Sequence, residues 1–291
     1  MAMIVRILRW LLVLDRRVVF LLVAAAVAFP LVFPLNLPVQ LSQPVKQLYD
    51  ALESLPAGGK PVIIAVDYDP STVPELRPMT IAVIHHLFKK RIPFLVLTLL
   101  PAGYGIAEDV VNTVKVNYPN VVYGKDYAFL GFAVGAGLVI LGIGEDFAAT
   151  FPKDAYGTLI SKIPVTKNIK NFNDIAMVID FSASSIFETW IMFAYQKHGC
   201  KVGAGVTAVM ATDAYPFLQA GQLEGLLGGL SGAAEYEDLV KEPGAAKAGM
   251  DAQSVVHLLI IFLIILGNIA YFGTRHRPTA AGSPTEHEAE A

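Results

Sequence analysis

The sequence predicts an α/β fold: a doubly wound, mostly parallel sheet in three layers, Rossmann-like, flanked by N- and C-terminal transmembrane helices. Three observations predict it. Two apolar runs of membrane-spanning character stand near the chain ends, at 18–37 and 255–272. Between them, short apolar runs alternate with helical stretches, first over 61–99 and again over 174–210. In both repeats the opening strand leads to a carboxylate, Asp67 in one and Asp180 in the other. The strands are apolar without alternation, which marks burial on both faces of a parallel sheet.

Composition narrows the function. Hydrophobic residues make up 54% of the 291, and the mean hydropathy is +0.53, too apolar for an ordinary soluble chain. With 16% charged residues and a formal net charge of -3, no basic field exists for a nucleic acid to bind. A single cysteine, Cys200, excludes an internal disulfide and a cysteine-rich metal site; it reads as a small core hydrophobe.

Residues 1–17 form a cytoplasmic or interfacial segment carrying Arg6, Arg9 and Trp10. The run 18–37 is the first expected span, which Pro30 and Pro34 should kink or end early. Ala26-Val27-Ala28 has the small-x-small form of a signal-peptide cleavage site, but the apolar run continues to Leu37, and a retained anchor is the preferred reading. Arg16-Arg17 is out of register with a twin-arginine signal. The second expected span is 255–272, and 273–291 is a polar, acid-ended tail expected to be disordered. Arg6, Arg9, Arg16 and Arg17 precede the first span, and Arg275 and Arg277 follow the second. This bias places both termini in the cytoplasm and the domain at 41–250 outside.

Within the domain, Leu41–Leu55 reads as a helix broken by Pro56-Ala57-Gly58-Gly59. The strand Val62–Val66 follows, then a helix opened by a Thr72-x-x-Glu75 capping box and closed by Lys89, Lys90 and Arg91. Pro93–Leu99 is the second strand, Gly105–Tyr118 a helix, and Val121–Leu130 a strand around the turn at Gly124-Lys125-Asp126. Gly135–Phe151 fits a strand or an apolar helix, and is too short to span a membrane. The second repeat has the strand Ile175–Ile179, a Ser185-x-x-Glu188 capping box with its helix, and the strand Val202–Met210. Right-handed crossovers would place the strand ends on one edge.

That edge collects the candidate chemistry: Asp67 and Asp69, Thr98, Asp180 with Ser182, and Thr212 with Asp213. Gathered carboxylates suit Mg²⁺, a hard cation. The histidines are scattered, and the adjacent pair His85-His86 points around a helix, so no metal site follows from them. A second feature is GQLEGLLGGLSGAAEYEDL, 221–239, read as one helix with Gly221, Gly225 and Gly229 on one row and Gly228 and Gly232 on another. Each glycine costs about 1 kcal/mol against alanine in a helix. Close packing, against the domain's own sheet or another subunit, would recover it. A loop whose amides cradle an anion is the third reading of these glycines.

The stretch Asp67-Tyr68-Asp69-Pro70-Ser71 after an apolar strand resembles the first motif of haloacid-dehalogenase-like phosphohydrolases. That resemblance implies Asp67 as nucleophile, Asp69 as acid/base, Thr98 in the second motif and Asp146, with Asp67 and Asp69, as Mg²⁺ ligand. No lysine matches that family's pattern. The Asp-x-Asp triplet is also similar to that of metal-dependent glycosyltransferases. VGAGVTAVMATDAYPFLQAGQLEGLLGGLSGAAEYE at 202–237 and KDYAFLGF at 125–132 resemble an uncharacterised family of bacterial and archaeal membrane-anchored α/β proteins, to which no activity is assigned.

The expectation drawn from these readings is a non-enzymatic, membrane-anchored interaction or assembly subunit of a larger membrane complex, partnered with the bilayer and with itself or other membrane proteins. The glycines would supply its contact surface. The alternatives are a Mg²⁺-dependent phosphohydrolase using Asp67 and Asp69, and a small-ligand binding domain at the sheet edge.

Overall fold

The structure, a computed structural model, describes residues 15–35 and 37–274. The interfacial segment expected ahead of Asp15 and the tail after Thr274 lie outside the described residues. The chain divides into two units, residues 35–250 and the segments 1–34 with 251–291. In order, the helices are α1 (Arg16–Val32), α2 (Gln43–Glu53), α3 (Val73–Lys90), α4 (Gly103–Lys115), α5 (Ala136–Glu145), α6 (Phe147–Thr150), α7 (Ile186–Trp190), α8 (Ala208–Gln219), α9 (Gly229–Val240) and α10 (Ala245–Thr274). The strands are β1 (Val62–Asp67), β2 (Phe94–Thr98), β3 (Tyr127–Phe132), β4 (Met177–Ser182), β5 (Val202–Val206) and β6 (Leu226–Gly228).

In the apolar unit, α10 is long and apolar enough to cross a membrane, with mean hydropathy 2.5 over its apolar window. It is the only such helix among the described residues. The first expected span is shorter than the apolar run suggested. Helix α1 has 17 residues, and Phe33 caps it before Pro34. At 1.5 Å per residue it covers about 26 Å, the lower end of what crosses a bilayer.

The domain is a six-stranded sheet in the order β3-β2-β1-β4-β5-β6, and every pairing is parallel. The chain winds outward from β1 through β2 to β3, returns to β4 beside β1, and winds the other way. The switch point therefore lies between β1 and β4. Strands β1, β2, β4 and β5 are buried throughout, as their unbroken apolar runs require. Alternate residues feed two separate cores. Val62, Ile64 and Val66 face α2, α3, α4 and α9, while Ile63 and Ala65 face α5, the helix through Trp190, and α8.

Three expectations change. The strand at 202–210 stops at Val206, because Thr207 turns to cap α8 by accepting from the Met210 amide at 3.5 Å. The ambiguous stretch 135–151 becomes helices α5 and α6. The glycine-rich run is not one helix: Gly221 and Gly229 have φ of 69° and 58°, and this left-handed conformation, open to glycine, separates a turn, strand β6 and helix α9.

Candidate functional site

Asp67 closes β1 and Asp180 lies two residues before the end of β4, inside the strand rather than at its end as expected. The register pairs Ala65 with Asp180 and Asp67 with Ser182. The two carboxyls are thus diagonal neighbours on one face, at the switch point. Both are buried. Asp67 Oδ1 accepts from the Leu99 amide at 2.5 Å and from Thr98 Oγ1 at 3.3 Å. By strict hydrogen-bond geometry Asp67 Oδ2, both oxygens of Asp180 and the Trp190 indole N–H have no partner among the described residues, yet Asp180 and the Trp190 indole lie close enough to interact with the Asp67 carboxyl. No cationic side chain forms an ion pair with either carboxyl among the described residues.

Burial dominates the electrostatics. It pushes the Asp67 carboxyl up to about 6, against the opposing Leu99 hydrogen bond. Asp180 is raised well above the carboxylate range, first by burial and then by the charge of Asp67. Like charges this close in a poorly polarisable interior cannot both ionise, so the pair retains a proton at neutral pH. Its chemistry is that of a sealed proton-holding pair.

Of the residues expected at the edge, the structure brings together Asp67, Thr98, Asp180 and Ser182, and disperses the rest. Asp69 accepts from the Ser71 amide and hydroxyl at 2.8 and 2.6 Å, capping its own turn. Asp146 caps α6 through the Ala149 amide at 3.0 Å. Thr212 and Asp213 sit exposed on α8, because β5 ends before them. Among the described residues no three acidic, histidine or cysteine side chains gather into a metal-binding group. Asp67, Asp69 and Asp146 therefore do not form the Mg²⁺ site that the phosphohydrolase resemblance implies, and the free oxygen of Asp67 points into the protein.

The glycines turn inward. A Cβ on Gly225 would collide with the backbone of Leu48 in α2. One on Gly229 would come within 2.7 Å of Ala208 Cβ, on Gly228 within 3.1 Å of Ala211 Cβ, and on Gly232 within 3.1 Å of the Leu227 backbone. Gly221 faces open space. Four of the five therefore permit close packing within the domain.

Sequence reasoning missed two features. One is Trp190, whose indole closes the carboxyl pair at the start of a π-helical stretch, Ile191–Gln196. Its signal was only a tryptophan after a strand-ending acid. The other is the outer face of α5. Val139, Ile140 and Ile143 are buried, yet Leu138 on α5 and Val134 just before it are each 78% exposed. No family model matches this chain, and neither the curated proteins nor the solved structures contain a match.

Proposed function

We propose that this protein is a membrane-anchored interaction subunit that docks on another membrane-bound subunit through the outer face of α5. In this reading both apolar segments hold the domain at the bilayer, both termini are cytoplasmic and the domain is extracytoplasmic. The basic residues Arg16 and Arg17 on the inner side of the first segment support that orientation. The carboxyl pair then serves the fold rather than a reaction.

One observation carries the reading. Helix α5 has no charged residue from Ala136 to Gly144, and Leu138 and Val134 remain 78% exposed. A helix apolar on both its inner and outer faces is normally covered on both. The contact surface is therefore α5, not the glycine run.

The test is the native mass of the full chain extracted gently from its membrane, as wild type and as Leu138→Asp. The wild type is expected to run as a defined assembly. An aspartate in that contact should weaken association by about 100-fold or more, releasing protomers whose melting temperature is unchanged. A monomeric wild type, or an assembly indifferent to L138D, overturns the reading.

A further inference from the structure

A cavity of about 530 Å³ opens off the C-terminal end of β3 and is lined there by Gly131, Phe132 and Ala133. Its size falls within the range of small-ligand pockets. Its edge of the sheet is the one where α/β folds bind ligands.

The lining has two chemical halves. Pro101, Tyr104, Phe132 and Phe151 form an apolar wall, with the Tyr104 ring braced on Phe129 at a centroid distance of 5.1 Å. Gly131 has φ of 85°, and a Cβ there would come within 3.3 Å of Ala155 Cβ and 3.5 Å of the Tyr104 ring, so glycine keeps the space beside that ring open. The other half is positive. Lys153 lines the cavity, and its ammonium makes no ion pair or hydrogen bond among the described residues. Helix α4 starts nearby with Ala102 as its N-cap, but its Gly103 and Tyr104 amides already donate to the Leu100 and Pro101 carbonyls at 2.9 and 3.3 Å, so Lys153 alone supplies the positive half. The neighbouring acid, Asp154, is committed to its own loop: it accepts from Tyr123 Oη at 2.6 Å and from the amides of Tyr156 and Thr158 at 3.0 and 2.7 Å.

We propose that this cavity binds a small organic anion with a flat apolar body, the ring lying against Tyr104 and the anionic group meeting Lys153. The proposal does not rest on the assembly proposed above.

The probe is phenyl phosphate, titrated by calorimetry into the full-length protein in detergent, with inorganic phosphate and phenol as its separated halves. Phenyl phosphate is expected to bind saturably and more tightly than either half. Lys153→Ala and Tyr104→Ala should each weaken it about tenfold, the loss of one charged or one stacking contact. Both variants should keep the wild-type melting temperature, Lys153 being exposed and Tyr104 partly so. Should Tyr104→Ala lower that temperature, Lys153→Gln, which keeps length and removes charge, replaces it as the second variant. The absence of saturable phenyl phosphate binding overturns the proposal. So does binding that neither lysine variant weakens.

Discussion

Burying Asp180 beside Asp67 builds a pH dependence into the fold. A carboxyl whose pKa is raised on folding binds its proton more tightly in the folded chain than in the unfolded one. The stability it confers is complete below about pH 4 and is lost as pH rises through its folded value, which for Asp67 is about 6. For that group alone the loss between pH 4 and pH 8 is about 2 kcal/mol. Asp180→Asn removes the second acid while its amide N–H can still donate to Asp67. The variant should be more stable than wild type at pH 8 by about 1–3 kcal/mol and show a flatter profile from pH 5 to 8 in urea melts. An unchanged slope would show that the pair does not titrate with folding. Asp67 was legible as the acid ending an apolar strand. Its burial was not, because the sequence carries no sign that Leu99 and Trp190 would enclose it.

At the scale of elements, the chain starts its helices where capping signals stand but ties them together differently. Thr72 and Glu75 mark the start of α3, yet Thr72 makes no side-chain cap. Glu75 instead accepts from the Ala208 amide at 2.9 Å and caps α8. Likewise Ser42, at the start of α2, donates its amide and hydroxyl to Glu235 of α9 at 2.7 and 2.5 Å. Glu237 accepts from the amides of Gly244, Ala246 and Lys247 at 3.0, 3.1 and 2.9 Å, holding the first turn of α10. Local patterns announce a helix end; which partner satisfies it depends on packing. The glycine run gives the same lesson. Gly225→Ala should destabilise the domain by about 2–4 kcal/mol, because the added methyl meets the Leu48 backbone, which cannot move aside. The measurement is a melting curve alongside native mass. Dissociation without loss of stability would restore the glycines as a subunit contact.

At the scale of the molecule, residues 35–250 form a compact unit with two cores of their own. Expressed without the apolar segments, this fragment should remain soluble and melt in one cooperative transition followed by circular dichroism. A fragment lacking a cooperative transition would show that the domain depends on its membrane segments for folding. The amino-acid sequence by itself determined the α/β class, the repeat of strand, acid and helix, and the apolar segment of α10. These follow from period, run length and turn residues, all of which are local. Only the tertiary structure decided the strand order, the enclosure of Asp67 with Asp180, the dispersal of Asp69, Asp146, Thr212 and Asp213, and the inward role of the glycines. Each of those depends on contacts between segments far apart in the chain, where a carboxylate's neighbours or a glycine's clearance are set by which elements meet.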